Sequence, residues 1–220
     1  MNGVTHKYGA LFAGVTAIDL AYKHVNIGSI LATTESLPLD SNILSGLVVL
    51  GSAAAIIHGS VAGGRYPDYD QTPGSIPTRG KFGVVLNKVI RGIGASHRSW
   101  HTHSIDINLL LFGVPTILLY KQATIIGNPF AIPLLIISAW CLGLTVGALS
   151  HVLLDMLNMS GAHLFCFFKK VRLVPGNIGI GKFRPFKRYF RTGSHWENFV
   201  RSVLLLLLVI KVIKIATILA

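Results

Sequence analysis

The chain has 220 residues, of which 51% are apolar and only 13% charged, with a net charge of +12. A water-soluble domain carries about 25% charged residues. Together with a positive mean hydropathy, this composition excludes an ordinary soluble domain and points to a single integral membrane domain over residues 1–220.

Crossing a bilayer core as a helix takes about 20 apolar residues, and five segments approach that length. The first, about 8–22, is short, rich in Gly and Ala, and carries Asp19, which can pair with Lys23 at i,i+4 spacing. The second is about 43–62, the third about 105–120 and the fourth about 131–155. The fifth, about 200–220, is the densest in Leu, Ile and Val, although Lys211 and Lys214 interrupt it. The N-terminal stretch lacks the strong basic start and dense apolar core of a cleavable signal. Cys141 and Cys166 match neither a disulfide framework nor a CxxC metal pattern.

Five spans put the N-terminus and the loops 63–104 and 156–199 on one side. With Arg201 counted in the adjoining loop, that side holds sixteen of the twenty Lys and Arg residues, so the positive-inside rule places it in the cytoplasm. Within the first of these loops, Phe82, Val85, Leu86, Val89, Ile90 and Ile93 recur at helical spacing, with Lys81, Lys88 and Arg91 off the stripe. This predicts an amphipathic helix, lying either in the interface on anionic headgroups or against the protein's own spans. "GNIGIGK" (176–182) lacks the spacing and the preceding strand of a phosphate loop. The basic and aromatic "KFRPFKRYFR" (182–191), beside a bilayer, suits anionic lipid better than nucleic acid.

The acids number only eight, and several stand near histidines. His6 lies near the first span, and Asp68 and Asp70 in "RYPDYD" follow the second. His97, His101 and His103 precede the third. His151 and Asp155 end the fourth, and His195 and Glu197 precede the fifth. All fall at the cytoplasmic ends of their spans. His151 and Asp155, four apart, share one helix face and can grip one metal. Imidazole and carboxylate ligands suit zinc, manganese or iron, and so many ligands suit two ions, a device of phosphoester hydrolysis. The plainer alternative is a solvated basic loop at His97–His103, turn carboxylates at Asp68 and Asp70, and a structural hydrogen bond between His151 and Asp155. These must all hold on one face at once, which counts against them.

The order "THKYG", "PDYD" followed by Ser75, "HR…THS" and "LSHVLLDMLNMSG" resembles the YdjM-like family, from His6 to Glu197. The resemblance implies a LexA-regulated, metal-dependent hydrolase of a bacterial or archaeal inner membrane. Two departures stand out. Ser99, Trp100 and His101 make three residues where the family commonly has two, and Asn158 and Met159 replace a usual Thr-Pro.

The expectation is therefore an all-α membrane protein. It is a bundle of about five transmembrane helices with an interfacial amphipathic helix and a metal site at the cytoplasmic membrane face. His6, Asp68, Asp70, His97, His103, His151 and Asp155 are the expected ligands of one or two divalent ions, most readily zinc. Glu197 is a ligand or general base, Arg98 steadies a phosphate, and Ser104 orients a neighbour or caps the third span. The expected activity is hydrolysis of a phosphoester in a lipid or other amphiphile. A non-catalytic metal transporter or sensor is the competitor, disfavoured by span centres that are nearly bare of polar groups apart from Asp19. A tethered module binding anionic lipid or nucleic acid explains the charge but not the clustered carboxylates.

Overall fold

The computed structural model describes residues 3–25, 41–73, 75, 80–157, 161–167, 170–171 and 195–219. The stretch 176–191 and the departure at Asn158 and Met159 lie outside them. Helix α1 is Gly3–His24, α2 Ser41–Gly63, and a 3-10 turn, Tyr66–Asp70, follows α2. Helix α3 is Lys81–Gly92. A short α4, Ile105–Asn108, runs through a π-helical turn, Leu109–Gly113, into α5, Val114–Ala123. Helices α6, Ala131–Met156, and α7, His195–Leu219, complete the bundle. Among the described residues, the segments Ile43–Asp70 and Ala131–Met156 are long and apolar enough to cross a membrane.

Several elements differ from the expected boundaries. Helix α1 starts earlier than expected, so His6 lies in its first turn rather than before it. The third segment is not one regular helix. Pro115 has no N–H and its ring crowds the carbonyl of Leu111, and the wider π turn directly before it accommodates that defect. Helix α7 begins at His195, with Glu197 in its positive first turn. The chain is also not wholly helical, because Ala162–His163 and Lys170–Val171 pair as a small antiparallel ribbon.

The bundle closes around α6, and small residues let it do so. Gly59 and Gly63 on α2 face Gly143 and Gly147 on α6, each pair four apart. A Cβ on Gly147 would stand 2.0 Å from the Ser60 carbonyl oxygen, and one on Gly63 2.2 Å from that of Leu144. Two interleaved small-xxx-small motifs thus bring the backbones into direct contact, the packing favoured where no hydrophobic force joins helices. Gly9 of α1 makes room for the Leu154 side chain of α6, and Gly14 for the Ser60 side chain of α2. Outward faces are strongly apolar, as at Leu50, Leu118, Ile137 and Leu206, which suits contact with lipid.

The lysine in α7 has a partner. Asp19, buried on α1, takes an ion pair from Lys23 at 2.9 Å and another from Lys211. A charge inside an apolar helix is costly unless paired, so this triad both explains Lys211 and fixes α7 against α1.

Candidate metal centre

The tight α2–α6 seam ends where the site begins. One turn beyond Gly147, His151 Nδ1 donates to the Gly64 carbonyl at 2.7 Å. This bond fixes the tautomer and leaves Nε2 as a lone-pair donor. That nitrogen lies 3.8 Å from Asp155 Oδ2 and 3.7 Å from Asp68 Oδ1. The His6 ring stacks on that of His151, centroids 3.7 Å apart, and its Nε2 is 3.4 Å from Asp155 Oδ1. His103 brings Nε2 to 3.5 Å from Asp155 Oδ2. Two interlocking groups result: His6, His151 and Asp155, and Asp68, His103 and His151. Within each, the ligand atoms lie within 4.8 Å of one another.

Elementary coordination geometry tests whether an ion fits. With zinc–ligand bonds of about 2.0–2.2 Å in a tetrahedron, neighbouring ligand atoms stand about 3.3–3.6 Å apart. The separations of 3.4, 3.5, 3.7 and 3.8 Å match that spacing or need only a few tenths of closure. They are longer than good hydrogen bonds. His151 Nε2, His103 Nε2 and His6 Nδ1 are buried without a hydrogen-bond partner among the described residues. Such atoms cost about 1–3 kcal/mol each when unmet, and a shared cation would satisfy the two Nε2 atoms at once. Because His151 has a single free nitrogen, it can serve one ion; a second would have to be bridged through a carboxylate.

Asp70 holds a different position from the other expected ligands. It is fully buried and surrounded by donors. Thr102 Oγ1 donates to it at 2.6 Å and the Arg98 amide at 2.9 Å. His97 Nδ1 is 3.0 Å away and His103 Nδ1 3.2 Å away. His103 Nδ1 also meets Thr102 Oγ1 at 2.9 Å, so Asp70 and the threonine bound to it together orient that ring, an arrangement typical of the support behind a metal-bound histidine. His97 meets Asp70 and packs edge-on against His103 at 5.9 Å, and it stands half-exposed outside both groups. Arg98 is held at φ +59°, a region costly for a residue with a side chain. In that conformation its amide meets Asp70 while its guanidinium meets Asp155 at 3.3 and 3.4 Å.

The remaining candidates divide. His101 stacks on Trp100 at 3.7 Å and meets Ser99, outside the ligand groups. Ser104 Oγ bonds the Trp100 carbonyl at 2.7 Å and closes the loop, with no side-chain cap on α4. Glu197 is buried and accepts from Thr5 Oγ1 at 2.9 Å, so it anchors α7 beside His6. His195 is exposed. Sequence reasoning passed over Thr102, Thr5 and Asn108, although Asn108 Nδ2 ties down the Thr102 and Ser104 carbonyls at 2.9 and 2.7 Å. Thr5 and Thr102 carry one sign, their position beside His6 and His103; Asn108 carries none. The small ribbon braces the loop from outside: the His163 amide donates to the His103 carbonyl at 3.1 Å. Asp106 receives the Cys166 amide at 3.0 Å. The same carboxylate raises the Cys166 thiol above its ordinary pKa, so the sulfur stays protonated and is a poor ligand.

An apolar groove of about 630 Å³ approaches this site. It is lined by Gly9, Ala13, Leu20, Leu153, Leu154 and Leu204, among others, from α1, α6 and α7. Gly9 is three residues from His6, and Leu154 adjoins Asp155. From Gly9 to Leu20 the groove follows α1 for about 16 Å at 1.5 Å per residue. A second groove, about 350 Å³, lies beside Val49, Tyr120 and Leu135 and touches no candidate ligand.

Fold and site together define a helical protein of membrane character with a buried histidine–carboxylate cluster gathered from four separate segments. The chain matches the model of the family described as YdjM inner membrane protein over residues 1–218, and it belongs to that family. No curated protein matches it. No solved structure matches it either.

Proposed function

We propose that this protein is a membrane-bound, metal-dependent hydrolase of a phosphoester carried by a lipid or other amphiphile. The observation that carries the reading is the convergence of His6, Asp68, His103, His151 and Asp155 at ion-ligand spacing. In this reading five segments span the inner membrane, and the basic side faces the cytoplasm, since sixteen of twenty Lys and Arg fall there.

A divalent ion, when bound, would lower the pKa of a water and polarise a phosphoryl oxygen. The chain's own contributions follow from its geometry. His151 and His103 present fixed lone pairs, because Gly64 holds the other nitrogen of His151, and Thr102 with Asp70 that of His103. Arg98, partly exposed, supplies a forked cation at the edge of the site for a substrate phosphate. Glu197, through Thr5, keeps the first turn of α1 in place and so positions His6. The apolar groove, whose lining residues Gly9 and Leu154 lie on the same helices as His6 and Asp155, favours a substrate with a hydrocarbon tail.

A metal carrier remains the competitor, and it needs a polar route across the bundle. Asp19 is the buried acid farther along α1, and Lys23 and Lys211 already neutralise it. The deciding experiment is a screen of purified, zinc- or manganese-loaded protein against phospholipid and nucleotide esters. Hydrolysis lost in His151→Ala, with the fold retained, supports the enzyme. Metal uptake into sealed vesicles without any hydrolysis supports the carrier.

A further inference from the structure

Helix α3 packs chiefly against the 3-10 turn that follows α2, and it leaves its greasiest side bare. Phe82, Val85, Val89 and Ile93 are 72, 60, 58 and 64% exposed, whereas Gly83, Asn87 and Ile90 are buried. At about 100° per residue, the four exposed apolar residues form one stripe, the buried three lie to one side of it, and Lys81, Lys88 and Arg91 to the other. Helix α3 carries no acid. Exposed apolar residues in a continuous stripe mark a surface that something covers.

We propose that α3 lies in the plane of the membrane and docks on the anionic headgroup surface of the bilayer that its neighbours cross. Two observations select lipid as the occupant. The basic flank complements anionic phosphates, with the apolar stripe set beside it as in interfacial helices. Only ten residues separate the helix from the end of an apolar, membrane-length segment, Ile43–Asp70, and it packs on that segment's final turn, so the headgroup layer is within reach. This assignment stands apart from the hydrolase reading, but it touches the same site. Asn87 Nδ2, on the buried side, donates to the carbonyls of Tyr69 and Gln71, the residues on either side of Asp70. Tyr69 also meets Phe82 edge-on at 6.4 Å. A leaflet that holds α3 therefore also steadies the turn that carries Asp68 and Asp70.

The test uses the full chain with Val89→Trp, reconstituted in phosphatidylcholine vesicles with or without phosphatidylglycerol, its emission read against the unsubstituted protein. Lipids brominated near the headgroup end of the acyl chain should quench the new tryptophan more than lipids brominated at the chain end, as for a stripe buried about 5–10 Å deep. Each basic residue near an anionic surface strengthens docking about fivefold. Lys88→Gln/Arg91→Gln should therefore weaken docking about 25-fold and reduce the quenching in phosphatidylglycerol vesicles. Water-like emission with no quenching overturns the proposal. Shielded emission with no quenching does so too, since a protein surface then covers the stripe. Quenching indifferent to both lipid charge and the two glutamines overturns the anionic assignment.

Discussion

Replacing Asp70 by Asn separates an ion's ligands from the groups that aim them. In the structure Asp70 accepts from the Thr102 hydroxyl at 2.6 Å and the Arg98 amide at 2.9 Å, and it faces His97 and His103 Nδ1 at 3.0 and 3.2 Å. An asparagine keeps the volume but loses the charge and one acceptor oxygen. The rear nitrogen of His103 then loses the carboxylate that, with Thr102, fixes its tautomer, while His6, His151, Asp68 and Asp155 keep their own contacts. Loss of such a supporting carboxylate typically costs about 10–100-fold in metal affinity, or about 1.4–2.7 kcal/mol. The assay is competitive titration of detergent-purified protein against a chromophoric zinc chelator, with His151→Ala and Asp155→Asn beside it. Asp70→Asn should retain stoichiometric but weaker zinc, and the other two should lose more. If Asp70→Asn abolished binding as completely as His151→Ala, Asp70 would be a direct ligand. If it changed affinity by less than about twofold, the supporting role would be wrong.

Gly147→Leu should prevent assembly of the bundle, because its Cβ position already lies 2.0 Å from the Ser60 carbonyl oxygen; size-exclusion profile and melting temperature check this. Gly92→Ala, at an exposed helical position with no heavy atom within 4 Å of the new methyl, should be neutral or add up to about 1 kcal/mol in the same assay. Lys211→Met should lower the melting temperature, and combining it with Asp19→Asn should cost less than the two single changes added together, since the pair is coupled. Stripping the metal with a chelator should also lower the melting temperature. An ion held at 100 times its dissociation constant contributes about 2.7 kcal/mol, and readdition of zinc should restore it.

The sequence carried the site further than it carried the packing. Histidines and carboxylates at span ends were visible because acids are scarce in this chain, and His151 with Asp155 was visible from helical spacing alone. Which of them face one another was not visible, because a one-dimensional pattern does not show how a loop turns. Arg98 adopts positive φ and its amide meets Asp70 behind His103, whereas Asp68 faces His151, so these two acids, two apart in the sequence, take different places. The Gly59–Gly63 and Gly143–Gly147 spacings stood in plain view, yet their meaning depends on a partner helix at matching depth. Pro115 likewise signalled a defect in the third segment without saying whether the helix would break or widen. The partner of Lys211 lay 192 positions away, beyond any local rule.

Metal stoichiometry bears most directly on the claim that His6, Asp68, His103, His151 and Asp155 form a metal centre. Purified full-length protein, equilibrated with zinc and passed through a desalting column, should retain one or two ions per chain by elemental mass spectrometry, and His151→Ala and Asp155→Ala of normal fold should retain markedly fewer. Retention of none by the parent protein, or of equal amounts by all three, would contradict it.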